Sequence, residues 1–169
     1  MSDQTSAFGL TIFLRGLATM AELLHRAEKH AEEHKIEPAA FLTARLYPDM
    51  YTLTRQVQIA ADTAKRTAAR LAGIEAPSYE DNEASFAELQ ARVAKTVDFL
   101  KTVPADALLA DKRVAFKAGP NELDLSATEY LVRFGLPNFY FHLVTAYDIL
   151  RHNGVVVGKF DFLGNLKAD

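Results

Sequence analysis

The sequence has no cysteine, and it has no apolar run of the roughly 18 residues that a membrane-spanning helix needs. Without cysteine the chain can form no disulfide, no thiolate nucleophile and no cysteine-based zinc site. It also has no block of positive charge, because its 19 Lys and Arg are interleaved with 22 Asp and Glu and the net charge is −3. Phosphate binding needs a clustered positive field, so we expect no nucleic-acid partner, and we expect no membrane partner either.

Several common functional motifs are missing as well. There is no G-x-G-x-x-G, no P-loop and no nucleophile elbow. The N-terminal segment lacks the basic and apolar regions of a signal peptide, so we expect a cytoplasmic protein. The 169 residues are 49% hydrophobic, and we expect them to form a single domain spanning residues 1–169 with a sizeable core.

Apolar residues recur at steps of three and four along most of the chain, which is typical of amphipathic α-helices. The predicted inner faces are Phe13, Leu17, Met20, Leu24, Ala27 and Ala31 in the first helix, Leu53, Val57, Ala60, Ala64, Ala68 and Leu71 in the second, Phe86, Leu89, Val93, Val97 and Leu100 in the third, and Phe139, Ala146 and Ile149 in the last. We expect Ser6 to cap the first helix. The second should begin near Pro48 and end at Gly73, and Asp81 or Asn82 should cap the third.

Residues 112–125 interrupt the helical period with two short alternating runs around the sequence AGPN, which predicts a β-hairpin. Ser126 and Glu129 then have the spacing of a capping box. The helix that they begin should break at Gly135, and a further helix should start at about Pro137. The whole pattern predicts an all-α fold, a four-helix bundle with a short β-hairpin inserted before the last helices.

Bundles build their ligand and metal sites from inward side chains on facing helices. His142 lies in an aromatic run on an inner helix face, where a lone histidine is usually a hydrogen-bonded core residue. Asn138 is one turn earlier, so both side chains can point at the same space. Gln56 lies at the border of the buried face of the second helix. It could donate or accept a hydrogen bond with His142 across the bundle, complete a weak site, or lie on the surface.

The sequence HAEEH offers a different candidate. His30 and His34 are one helical turn apart and could hold zinc, with Glu33 as the general base of an inverted zinc-protease motif. The motif lies near a helix end in a charged stretch, and no downstream acidic residue stands out as a third ligand. A solvated helix end is the simpler interpretation.

From His142 onward, HLVTAYDILRHNGVVVGKFDFLG resembles the end of proteins of the DinB/YfiT-like metalloenzyme superfamily. In those proteins a histidine is followed at fixed distance by a Leu-Arg pair, a glycine and a terminal Asp-Phe-Leu. The matching residues here are Leu150, Arg151, Gly154, Asp161, Phe162 and Leu163. Together with LYPDMYTLTRQVQIAADTAKR and LPNFYFH, the tail looks like an uncharacterised branch, a domain of unknown function. The resemblance implies a four-helix bundle, often dimeric, with nickel or zinc in many members, some of which are thiol-dependent transferases or isomerases.

Aligned in this way, His142 takes the place of the second histidine in the H-x-x-x-H metal pair of the superfamily, and Asn138 takes the place of the first. The remaining ligand is a histidine on the second helix, for which Gln56 is the nearest candidate here. One imidazole with two neutral amides is a poor nickel or zinc site. We therefore expect a degenerate site with a weakly bound divalent metal or none, which survives as a small-molecule pocket lined by these residues and Tyr147.

The resulting prediction is a DinB-like bundle protein with a degenerate metal site, a small-molecule pocket and no assigned activity. One alternative is a nickel- or zinc-dependent transferase or hydrolase of the DinB/YfiT type. Another is a non-catalytic small-molecule binding or stress-response module. If the protein is an enzyme, His142 is the predicted acid or base, because burial would leave it neutral near neutral pH. We also expect a homodimer, and the 112–125 hairpin could cover the pocket or form a contact surface.

Overall fold

A computed structural model of the chain describes residues 2–104, 112–164 and 166, with the backbone alone for residues 2–8. The elements are α1 (Ser2–His34), α2 (Pro38–Leu42), α3 (Leu53–Ala72), α4 (Phe86–Thr102), the strands β1 (Arg113–Ala118) and β2 (Asn121–Ser126), α5 (Ala127–Tyr130), a π-helical turn (Leu131–Gly135), α6 (Leu136–His152) and α7 (Lys159–Leu163). The long helices α1, α3, α4 and α6 pack around one core, which confirms the predicted bundle with an inserted hairpin. Among the described residues, no helix is long and apolar enough to cross a membrane.

Helix α3 is the most buried helix and lies against α6, α4 and α1. Every residue of its predicted inner face is buried, and three of them are alanines, which leave room for close approach of α6. The helix ends where predicted, since Gly73 adopts a left-handed φ of 72° and its N–H bonds back to Arg70 O. Several polar side chains of α3 are buried too, so this helix can contribute polar groups to a site inside the bundle.

The predicted starts of three helices are wrong. Helix α3 begins at Leu53 rather than near Pro48, because the chain first makes a turn at 47–50 and the Thr52 hydroxyl then accepts the Arg55 N–H. Helix α4 is capped by Ser85, which accepts the Glu88 N–H at 3.2 Å. The predicted caps Asp81 and Asn82 lie in the loop before it, and Ser6 lies inside α1, which begins at Ser2.

The hairpin forms at the predicted place, with Arg113 opposite Ser126 and Ala118 opposite Asn121. Its inward side chains include Val114 and Phe116, which join the core. The capping box of Ser126 with Glu129 is also present, with hydrogen bonds in both directions.

No break occurs at Gly135. The π-helical turn leads directly into α6, and Gly135 keeps a helical φ of −58°. A Cβ at this position would lie only 2.8 Å from Thr67 Cγ2, so the close approach of α3 is what favours glycine here. π-Helical turns are rare and occur frequently at functional sites.

The C-terminal segment packs on α1. Asp161 accepts the Gly158 N–H at 2.8 Å and forms an ion pair with Arg26 at 3.0 Å. The Thr19 hydroxyl donates to Phe162 O at 3.0 Å. These contacts, which we call the C-terminal clasp, fix α7 on the outer side of α1.

Candidate functional site

The predicted contact between Gln56 and His142 is present in the core. His142 Nδ1 lies 2.6 Å from Gln56 Oε1, and Gln56 Nε2 donates to Tyr51 O at 3.2 Å. Because the amide nitrogen is committed to that carbonyl, Oε1 must accept, and His142 Nδ1 must carry the hydrogen. The Nε2 lone pair of His142 is therefore the free position of the ring, and it bonds to no group among the described residues.

His142 is held in the neutral form. Its side chain is 7% exposed. Burial, and after it the positive charge of Arg55, lower the pKa of His142 from 6.5 to about 4. At neutral pH the ring is thus an uncharged hydrogen-bond acceptor at Nε2.

Asn138 makes a separate contact one turn away. Its Nδ2 donates to the Thr63 hydroxyl at 3.0 Å. Gln56 and Thr63 are seven residues apart on α3, about 10 Å along the axis, whereas Asn138 and His142 are about 6 Å apart on α6. The two contacts therefore form separate cross-links between antiparallel helices, and Asn138 leans away from the Gln56–His142 pair.

The three side chains do not fit a tight nickel or zinc ion. Gln56 Oε1 is occupied by the His142 ring, and Asn138 is bonded to Thr63, so His142 Nε2 is the available strong donor of the set. Tight zinc sites use three or four histidine, cysteine or carboxylate ligands. The described parts of the chain contain no group of three or more such side chains placed to hold a metal ion.

A groove of about 310 Å³ lies beside Asn138, bounded by α3, the hairpin and the π-helical turn. Gln56 and His142 are not part of its lining. The residues that line it are Arg55, Ile59, Asp62, Thr63, Arg66, Thr67, Arg70, Asp81, Lys117, Tyr130, Phe134 and Asn138. Tyr147, predicted to line the pocket, instead packs its ring against Phe162 of α7 with the centroids 5.7 Å apart. Of the predicted pocket residues, Asn138 is the one that reaches this groove.

A buried ion-pair cluster shares Asp62 and Asp81 with the lining of this groove. Arg92 of α4 is 2% exposed and contacts Asp62 at 3.0 Å, Asp81 at 2.9 Å and Glu83 at 2.8 Å. Lys65, also 2% exposed, pairs with Asp62 at 2.9 Å. The cluster fastens the 73–85 loop to α3 and α4.

Asp81 and Glu83 of this cluster have pKa values below their usual range. Burial alone would raise the pKa of Asp81 and of Glu83. Hydrogen bonds and the charge of Arg92, with Arg55 at Asp81 and Gln58 at Glu83, outweigh that effect and lower both pKa values. Sequence reasoning missed the cluster. The available signal was the position of Arg92, three residues after the buried Leu89 and therefore on the buried side of α4.

The histidines and the glutamate of the HAEEH motif are not arranged as a zinc site. The rings of His30 and His34 stack with their centroids 4.1 Å apart, and His34 Nδ1 bonds to His30 O at 2.9 Å. Glu33 pairs with Lys29 at 3.6 Å on the exposed side of α1. This arrangement is that of a solvated helix end.

Comparison with known proteins supports the predicted resemblance. The family described as a domain of unknown function (DUF1993) matches residues 7–163. The chain is similar to the crystal structure of a DinB family member protein from Shewanella denitrificans, with 36% identity, a TM-score of 0.86, and coverage of 95% of this chain and 92% of that chain. Among curated proteins, none matches. The resemblance to a DinB-like domain of unknown function is thereby confirmed.

Proposed function

The chain belongs to the DUF1993 family of domains of unknown function, and we propose that it is a small-molecule binding protein built on a DinB-like bundle. The ligand occupies the groove between α3, the hairpin and the π-helical turn. The observation that carries the proposal is the groove itself, a recess of about 310 Å³ with polar side chains of α3 and α6 converging on it. That volume is within the range of small-molecule sites, which are concave and carry a few placed polar groups.

The groove includes one of the three positions that the resemblance assigns to metal ligands. Asn138 aligns with the first histidine of the metal pair, and its amide lies in the groove lining. The donor set around it is unsuited to nickel or zinc. A pocket that holds a ligand by hydrogen bonds and charge needs no such metal, and this favours binding over the alternative of a metal-dependent transferase or hydrolase.

The role proposed for His142 is to hold the helix pair in place. A side chain with a pKa of about 4 is neutral at pH 7 but is a weak base, whereas general-base catalysis works best when the pKa lies near the working pH. Its Nδ1 hydrogen is committed to Gln56, which fixes α6 against α3. Catalysis by His142 stays a prediction that would need its Nε2 to reach a substrate.

A heteronuclear NMR titration with a set of small polar fragments tests the proposal. Binding should shift the amide signals of Ile59, Thr63 and Asn138, which share the groove lining. Ile59→Trp would place an indole in the groove and should abolish those shifts. Val132→Trp is the matched control, because Val132 lies on the π-helical turn but is 57% exposed, outside the lining.

The result that would contradict the proposal is a set of shifts that survives Ile59→Trp. Shifts centred instead on Gln56 and His142 would favour the catalytic alternative. The predicted homodimer is a separate question, which light scattering of the purified protein answers. The exposed apolar side chains Phe141 and Val144 of α6 are the natural residues to replace in that measurement.

A further inference from the structure

The groove is a locally basic surface on an acidic protein. Four of its lining residues are cationic, Arg55, Arg66, Arg70 and Lys117, and two are carboxylates, Asp62 and Asp81. The whole chain has a net charge of −3. A concave site with an excess of one sign of charge raises the local concentration of oppositely charged ligands.

The two carboxylates cannot neutralise the four cations of the groove, because both also pair with buried cations outside the lining. Asp62 contacts the buried Lys65 and Arg92 as well as the groove residue Arg66. Asp81 likewise bonds to Arg92 in addition to Arg55. Asp62 and Asp81 therefore balance buried cations of the ion-pair cluster as well as cations of the groove.

Two cations of the lining have no carboxylate partner. Within the described residues, no carboxylate oxygen lies within 4 Å of a nitrogen of Arg70 or Lys117, and Glu122, opposite Lys117 in the hairpin register, makes no ion pair with it. Arg70 is nevertheless held in place. Its Nη1 donates to Tyr130 Oη at 2.9 Å, and its guanidinium lies 5.6 Å from the Phe116 ring centroid. A positioned guanidinium and a nearby ammonium are the groups that proteins use for carboxylates and phosphates.

A buried hydroxyl in the same lining also lacks a partner. Thr67 is 1% exposed, and its Oγ1 bonds to nothing among the described residues. A buried polar atom without a partner costs about 1–3 kcal/mol, so its persistence calls for a reason. Thr67 lines the groove together with Arg70 and Asn138, and a ligand oxygen reaching this depth would satisfy its hydroxyl.

Building on the proposed function, we infer that the ligand of the groove carries an anionic group, a carboxylate or a phosphate monoester, bound between Arg70 of α3 and Lys117 of β1. Thr67 and Asn138 belong to the same lining, and their hydroxyl and amide complete the polar contacts. The Phe134 ring forms the apolar wall, so an anion attached to a flat apolar group fits best. The hairpin, which supplies Lys117, thereby becomes part of the binding site.

The test is an NMR titration with three probes that share one ring. Benzoate and phenyl phosphate carry the two anionic groups, and benzyl alcohol is the neutral counterpart. Both anions should shift the amide signals of the groove lining, benzyl alcohol should bind more weakly, and the tighter anion identifies carboxylate or phosphate as the source. Lys117→Gln should weaken anion binding about fivefold, the size expected for loss of one exposed ion pair.

Lys117→Gln separates a loss of ligand binding from a loss of folding. Lys117 is exposed, so its replacement should leave the bundle intact, and Lys101→Gln on the exposed side of α4 is the matched control. Arg70→Gln tests the second cation but also removes the bond to Tyr130, so its unfolding curve is recorded first.

Benzyl alcohol binding as tightly as benzoate, with no effect of Lys117→Gln, would overturn the anion inference and leave the proposed groove function standing. Failure of all three probes to shift groove signals would also overturn the inference. The fragment titration with Ile59→Trp then decides the groove function by itself.

Discussion

His142 of α6 donates its Nδ1 hydrogen to Gln56 Oε1 of α3 over 2.6 Å, and both side chains are buried. Gln56 is itself oriented by Tyr51 O, so the chain segment before α3 determines which nitrogen of His142 carries the hydrogen. The first prediction concerns this pair. Gln56→Leu should lower the free energy of unfolding by about 1–3 kcal/mol, because it leaves a buried N–H without an acceptor. Urea denaturation measures the change.

The double variant Gln56→Leu with His142→Leu measures how strongly the two side chains are coupled. Replacing both polar partners by apolar groups should cost less than the sum of the two single changes. Additive losses would mean that the bond contributes nothing and that the two positions act through packing alone.

The second prediction concerns pH. The pKa of His142 is 6.5 in the unfolded chain and about 4 in the fold, so the unfolded state binds more protons between these values. The contribution of the neutral His142 to the free energy of unfolding is therefore fully present above about pH 6.5 and is lost as the pH falls towards 4. The loss is up to about 3 kcal/mol, since one pKa unit corresponds to about 1.4 kcal/mol.

The variant His142→Asn isolates this effect from that of Asp81 and Glu83, whose lowered pKa values act at more acidic pH. Its free energy of unfolding should change less than that of the wild type between pH 6.5 and 4. Parallel stability curves for the two proteins would show that His142 is not desolvated in solution.

The third prediction concerns metal. Protein purified without chelators should contain less than stoichiometric nickel or zinc by elemental analysis, because the set Gln56, Asn138 and His142 offers one imidazole. Gln56→His with Asn138→His supplies three imidazoles at the positions that the resemblance gives to the ligands. This double variant should gain a thermal midpoint that rises on addition of zinc.

The control for that gain is the same double variant carrying His142→Asn, which should lose the response to zinc. A stoichiometric metal in the wild-type protein would contradict the degenerate-site interpretation directly. A zinc response that persists without His142 would place the metal elsewhere.

The fourth prediction concerns the ion-pair cluster. Arg92→Met should lower the free energy of unfolding by about 3–5 kcal/mol, because removing one partner of a buried ion-pair network leaves charges uncompensated. Asp62, Asp81 and Glu83 would all lose a contact. Arg151→Met, on the exposed end of α6, should change stability by less than about 0.5 kcal/mol. Equal, small effects of the two changes would show that Arg92 is solvated rather than buried.

Much of the fold was predictable from the sequence because burial follows helical period. The α3 face from Leu53 to Leu71 and the α4 face from Phe86 to Leu100 are buried as expected, with Val97 partly so. The helix starts were not predictable to the same degree. Asp81 is a good cap by residue type, but Arg55 and Arg92 use its carboxylate, and Ser85 caps α4 instead. Long-range ion pairs override local preference in this loop.

The candidate site was predictable in part for the same reason. The bond between Gln56 and His142 follows from two inward positions on facing helices. The separation of Asn138 from that pair does not, because it depends on Thr63, a hydroxyl two turns away from Gln56 that no motif marks. The groove cations Arg70 and Lys117 are 47 positions apart in sequence, and they share one surface because β1 lies beside the end of α3, where the Phe116 ring contacts Arg70.

The C-terminal clasp changes how the resemblance to DinB-like proteins should be used. Asp161 and Phe162, part of the motif that revealed the resemblance, fasten α7 to Arg26 and Thr19 of α1 and touch neither Gln56 nor Asn138. This signature therefore reports how the C-terminal segment packs on α1, and it does not specify which side chains occupy positions 56, 138 and 142. Relatives recognised by their tails share an architecture, and sorting them by chemistry requires reading the residues that align with 56, 138 and 142 instead.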